Sequence, residues 1–165
     1  MAYTAPRTWV TGELVTASMM NTHVRDNFDA LKTPPAGVAT WSTNFTTTST
    51  SFVDLTSATH TITSTGGGFL VILLASIANS SLGASNNIDI LVDGVSESGL
   101  TSGVQAWGQE VANAAVPVCV VFKVPAKSAG SHTIKAQVRV SAGTMTVYGT
   151  ASNVEPQFYV VEFGA

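Results

Sequence analysis

The sequence predicts an all-β protein, a jelly-roll-type antiparallel β-sandwich preceded by an N-terminal arm and one amphipathic helix. Three observations carry this. From Trp41 onward, short runs rich in Val, Ile, Thr and Phe recur between turn signals. The one strongly helical pattern lies before Lys32, and Thr33-Pro34-Pro35-Ala36-Gly37 breaks the chain after it. The length, 165 residues, falls within the roughly 100–200 residues of one domain, enough to close one core. The expected organisation is an arm and helix over residues 1–32, a linker over 33–40 and a sandwich over 41–165.

In the first segment Thr16 is the expected N-cap, with Val15 and Met20 at the spacing of a hydrophobic staple. The helix runs from about Ala17 to Lys32. Its apolar stripe is Ala17, Met20, Val24, Phe28 and Leu31, and Arg25 and Asp29 are spaced for an i,i+4 pair. A lone helix of about sixteen residues is marginal in water. The stripe therefore packs on its own domain, bundles with copies of itself or docks on another protein.

Strands are expected near Ser51–Leu55, Thr59–Ser64, Phe69–Asn79, Asn87–Val92, Val104–Val111, Ala115–Val124, His132–Val140, Thr144–Tyr148 and Gln157–Phe163. Gly66-Gly67-Gly68, Asp93-Gly94, Lys127 to Gly130 and Ala142-Gly143 supply turns between them. In 133–140, Ile134, Ala136, Val138 and Val140 alternate with Lys135, Gln137 and Arg139, the pattern of a half-exposed strand. Leu70 to Leu74 and Val118 to Phe122 are apolar on both faces, which places them in the middle of the sandwich or at a subunit interface. Eight or nine strands at this spacing make a two-sheet sandwich.

Charged residues are 10% of the chain, against about 25% in ordinary soluble proteins. Such a neutral surface suits packing against copies or neighbours, because burying an unpaired charge is costly. The net charge of −3, with four basic residues after Pro34, provides no patch for phosphates and excludes nucleic acid as a partner. Cys119, the single cysteine, reads as a buried small hydrophobe within Val116 to Phe122. The start lacks the order of a signal peptide, and the longest apolar stretch falls short of the roughly 20 residues of a membrane span. A soluble protein made in a reducing cytoplasm is expected, with no membrane insertion.

No constellation for catalysis is visible. His23, His60 and His132 have no other ligand type at metal spacing, so each reads as structural or solvent-facing. Gly66-Gly67-Gly68 has the look of a phosphate cradle, but a strand follows it and no lysine, so it reads as a hairpin or loop. Asp89 and Asp93 are separated by apolar residues, unlike a calcium loop. Glu97 and Glu110 are carboxylates that nothing in the sequence brings together for acid–base work. The expectation is no enzyme, no metal and no cofactor.

The residues Pro6-Arg7-Thr8-Trp9, Gly12-Glu13, Val15-Thr16-Ala17, Met20-Asn21, Arg25-Asp26-Asn27 and Leu31 resemble an N-terminal module of tailed-phage tail-fibre, minor-tail and other virion proteins. The resemblance implies an attachment or assembly element, with Trp9, Met20, Val24, Phe28 and Leu31 as its contact residues. Ser51-Phe52-Val53-Asp54-Leu55, Leu91-Val92-Asp93-Gly94, 129–135 and the closing Val160-Val161-Glu162-Phe163 are similar to phage sandwich domains that resemble the tumour-necrosis-factor-like jelly roll. That second resemblance implies a homotrimer. Together they imply a structural protein of the virion, made in the host cytoplasm, whose partners are its own copies and capsid or tail proteins. The short stretch between helix and first strand favours a compact knob, a head decoration or a short tail appendage. The alternative is a receptor-binding module for a host cell-surface glycan, with Trp107 between Gln105 and Gln109 as the candidate contact. The plainer reading of Trp107 is ordinary core or interface.

Overall fold

The computed structural model describes Thr4, residues 7–149 and residues 155–164, without the side chains of residues 30–32. A continuous helix comes first: α1 (Ala17–Met20), a π-helical turn (Asn21–Arg25) and α2 (Asp26–Lys32). Strands follow as β1 (Ala36–Thr40), β2 (Phe45–Thr47), β3 (Val53–Ser64), β4 (Gly68–Asn79), β5 (Ser85–Val92), β6 (Val95–Ser96), β7 (Gln105–Gly108), β8 (Val116–Val124), β9 (Gly130–Val140), β10 (Met145–Val147) and β11 (Gln157–Phe163).

The strands form two antiparallel sheets. In the first, β1 pairs with β11, β11 with β4 and β4 with β8, while β10 and β2 continue alongside the far end of β4. In the second, β3 pairs with β9, β9 with β5 and β5 with β7, and β6 closes a tight hairpin on β5. The orders β1-β11-β4-β8 and β3-β9-β5-β7 are those of a jelly roll, the expected fold.

Alternation builds the core. Phe69, Val71, Leu73 and Ile77 of β4 point inward, as do Ile88 and Ile90 of β5, Ile134, Ala136 and Val138 of β9, and Phe158 and Val160 of β11. Each large apolar side chain buried this way contributes roughly 1.5–3 kcal/mol. The half-exposed pattern expected for β9 appears as Lys135, Gln137 and Arg139 on its outer face.

Several elements depart from expectation. Residues Ala36–Thr40, within the stretch read as linker, form β1 against β11, and the Glu162 N–H donates to the Pro35 carbonyl at 2.8 Å. The two strands expected over 51–64 are one, because an irregularity between Asp54 and Thr59 takes up three extra residues and returns both Leu55 and Ala58 to the core. The strand expected over Val104–Val111 ends at Gly108, where the chain turns on Gln109. Arg25 pairs with Asp26 at 2.7 Å rather than with Asp29, since the π-helical turn swings later residues round the helix axis.

Two polar clasps fasten the sandwich. Glu162 on β11 is buried and accepts from the Thr65 N–H, the Gly67 N–H at 2.7 Å, and the Ser64 and Thr65 hydroxyls. The glycine run is thus the β3–β4 turn, and its backbone holds the chain's own carboxylate, joining the two sheets. Burial pushes the Glu162 carboxyl up, but the Thr65 and Gly67 N–H groups and the two hydroxyls outweigh it and hold the group below its ordinary value. At the other clasp His132 Nδ1–H donates to Asp93 at 2.7 Å and Nε2–H to the Ser128 carbonyl at 2.8 Å. With an acceptor at each nitrogen the imidazolium is the favoured form. Asp93 and then the Ser128 carbonyl raise the His132 pKa, while the Thr133 N–H and then His132 lower that of Asp93.

Glu162→Ala leaves buried donors without an acceptor and lowers unfolding stability by roughly 3 kcal/mol in urea melts; an unchanged midpoint contradicts the clasp. For His132 the sign follows from the raised folded pKa. Its stabilisation is complete below the ordinary value of 6.5 and is lost as pH rises through the folded pKa, whereas that of Asp93 is lost as pH falls below 3.8. The stability advantage of wild type over His132→Gln is therefore greatest between those values and shrinks on the alkaline side; a pH-independent difference contradicts this.

Candidate functional sites

The N-terminal motif residues hold the arm against the helix. Thr16 caps it, its hydroxyl accepting from the Met19 N–H at 3.3 Å while the Thr16 N–H reaches the Met19 sulfur. Arg7 pairs with Glu13 and lies over the Trp9 ring, 5.0 Å from its centre, and Trp9 meets His23 edge-on. Gly12, at φ +83°, supplies the intervening turn. Asn27 is buried and acts as a peptide mimic: its Oδ1 accepts from the Thr4 N–H at 2.9 Å and its Nδ2 donates to the Thr4 carbonyl at 2.8 Å. Pro6 lies outside the described residues.

This arrangement leaves the apolar stripe uncovered. Phe28 is 68% exposed, Met20 and Ala17 are exposed, Val24 is half-buried, and the side chain of Leu31 lies outside the described residues. Trp9, Val10, Leu14 and Val15 add exposed apolar surface on the arm. Among the described residues no strand packs substantially against the helix.

A second uncovered surface is the outer face of the first sheet. Register aligns Val38, Tyr159, Ile72 and Val121 in one row across β1, β11, β4 and β8, with Val161 and Leu70 beside it on one flank and Leu74 and Cys119 on the other. Val121 is 60% exposed and Val38 48%. Among the described residues β8 pairs only with β4, which makes it a free edge there. Cys119 lies on this outer face and is exposed, contrary to the expected burial, because register with β4 turns Val118 and Val120 inward. Val118 to Phe122 and Leu70 to Leu74 thus each give one face to the core and the other to the outside.

The second sheet's outer face carries most of its polar side chains in pairs, with the Arg139 Nε the exception. Asp54 accepts from Lys135 at 2.9 Å and Gln137 at 2.7 Å, and Arg139 lies over the Phe52 ring. Gln137 and then Lys135 hold the Asp54 carboxyl below its ordinary value. Asp89 is buried and accepts from the Ile90 N–H and the Ser96 hydroxyl, and Glu97 pairs with Lys127 at 2.7 Å. Among the described residues no group of three or more His, Cys, Asp or Glu side chains is placed to hold a metal ion.

The third site is a cleft of about 390 Å³ where the two sheets part between β7 and β8. The structure brings together Gln105, Trp107 and Gln109, the residues singled out at period two in the sequence, on one wall. Val116 and Val118 of β8 form the opposite wall, and Glu110 also lines the cleft. Trp107 is half-buried against the core, so its plainer reading holds in part. Gln109 is only 2% exposed; its Nε2 donates to the Val111 and Ala114 carbonyls at 2.6 and 2.9 Å. Sequence reasoning missed Asn86, which faces Trp107 across the β5–β7 pairing, and the β8 wall, because both come from distant segments.

No family model matches the chain, and no curated protein matches it. Among solved structures the chain is similar to Eiger TNF from S. frugiperda, at 11% identity over 79% of this chain and 94% of that one, with a TM-score of 0.48. It is similar to the structure of the infectious bursal disease virus Gt strain at 15% identity over 80% of this chain and 38% of that one, with a TM-score of 0.48. The CBM36-1 domain of a multidomain xylanase from the hindgut metagenome of Trinervitermes trinervoides is similar at 12% identity over 79% of this chain and 99% of that one, with a TM-score of 0.44. The jelly roll described above rests on its own strand order.

Proposed function

We propose that the chain is a non-enzymatic structural protein of a tailed-phage virion: a trimeric surface knob, as head decoration or short tail appendage, docked through its N-terminal arm and helix. The observation that carries this reading is the pair of uncovered apolar surfaces on separate parts of one chain, the sheet face on the knob and the stripe on the helix. Contiguous exposed apolar surface marks an interaction site. The sheet face serves copies of the chain. Its apolar row runs out to the free edge β8, so the edge of one copy, carrying Cys119 and Val121, packs on the Leu74, Ile72 and Tyr159 face of the next. Such head-to-tail contacts give a ring where the rotation closes, and the trimer is the ring that the jelly-roll resemblance implies. The helix serves the particle. Its motif residues Arg7, Trp9, Glu13, Thr16 and Asn27 are spent on folding the arm and capping the helix, which leaves Phe28 and Met20 for a capsid or tail protein.

Replacing Phe28 by Asp tests the anchor. A charge placed in an apolar contact costs several kcal/mol, so Phe28→Asp abolishes incorporation into particles purified from lysates. The thermal melt of the isolated protein stays unchanged, because among the described residues no strand packs substantially on the helix. A lowered melt would make the helix a cover for its own sandwich and end the anchor reading.

A further inference from the structure

We propose that the cleft between β7 and β8 is a binding site for a neutral saccharide. Among the described residues six buried side-chain nitrogens and oxygens have no hydrogen-bond partner, and three of them, Trp107 Nε1, Gln109 Oε1 and Asn86 Nδ2, belong to the cleft wall or the residue paired behind it. Buried polar groups are almost always paired, so such a concentration marks a place where partners are supplied from outside the chain. The orientations of the two amides follow from their other bonds. Gln109 Nε2 donates to two carbonyls, which leaves its oxygen as the lone acceptor, and Asn86 Oδ1 accepts from Asn79 at 2.8 Å, which leaves its nitrogen as the donor.

The chemistry selects the ligand. In the lining itself an unpaired donor, Trp107 Nε1, and an unpaired acceptor, Gln109 Oε1, suit hydroxyl groups, each of which donates and accepts. The Trp107 ring and the Val116 and Val118 side chains offer apolar walls to the C–H faces of a sugar ring, while Gln105 adds a polar group on the same wall. The lining has no Lys or Arg, and its one charged residue is Glu110, so a phosphate, sulfate or carboxylate would meet an anion and no cation. The volume falls within the roughly 300–1,000 Å³ of small-ligand sites. The unpaired atoms are shielded from solvent, so a sugar reaches them on a local shift of the half-buried Trp107 ring, and the indole N–H reports its arrival.

The full chain labelled with nitrogen-15 gives three indole N–H resonances, from Trp9, Trp41 and Trp107, which Trp107→Phe assigns. Titration with D-glucose, D-galactose, L-rhamnose and N-acetyl-D-glucosamine is expected to move the Trp107 resonance saturably for at least one sugar while Trp9 and Trp41 stay still. N-acetylneuraminic acid, which is anionic, is expected to leave all three unmoved. Gln105→Ala, a milder change than Trp107→Phe, weakens the responding sugar about threefold to tenfold, the loss of one hydrogen bond. No saturable shift with any of the four sugars overturns the proposal and assigns the three atoms to water; an equal response to the acid overturns the neutral class. Unchanged affinity in Gln105→Ala removes the cleft as the site. These outcomes are independent of the trimer and of the helix anchor.

Discussion

Strand β4 is apolar on both faces, and the rest of the molecule is arranged around that constraint. Its inward side chains, Phe69, Val71 and Leu73, meet the core residues of β5 and β9, and no other strand carries as much of the interior. Its outward side chains, Leu70, Ile72 and Leu74, are half-buried to exposed, and among the described residues no element packs over them. The neighbours β8 and β11 repeat the pattern, with Val121 and Tyr159 in register with Ile72, so the exposed apolar row continues across the sheet. A monomer in water would leave this row solvated.

The distribution of charge follows the same division. On the second sheet, Lys135 and Gln137 donate to Asp54, and Arg139 stacks on Phe52 with its Nε unpaired. Asp93, Glu97 and Glu162 are used for turns and clasps, each with a partner inside the chain. Lys123 is the one charged side chain among the outward positions of β8, and it lies over the Phe163 ring. A low charge content is therefore not spread thinly: it is concentrated where the chain closes on itself and sparse where the first sheet faces out.

Much of this was legible from periodicity. β11 falls at the bounds its alternation marks, and β9 shows its polar side outward as read. For β4 and β8 the two-sided apolarity was plain, but which face enters the core depends on register, and the burial expected for Cys119 went to Val118 and Val120 instead. β1 was missed because a five-residue run containing Gly37 after two prolines becomes a strand only when β11 is beside it. The role of the glycine run was half legible: a turn was expected, while its anion, Glu162, lies almost a hundred residues away. Gln105, Trp107 and Gln109 could be grouped by spacing, whereas the β8 wall completes the cleft only in three dimensions, and Asn86, outside its lining, meets Trp107 only through strand pairing. The π-helical turn that redirects Arg25 to Asp26 has no signal in the helical spacing at all.

The central claim is that the outer face of the first sheet is an interface between copies. Light scattering on the full chain measures this directly. The account predicts a mass three times that of the 17.0 kDa chain, falling to a folded single chain when Val121→Asp places a charge at the edge of the apolar row. A wild-type protein that elutes as a clean 17.0 kDa species at micromolar concentration, with Val121→Asp indistinguishable from it, would contradict the account.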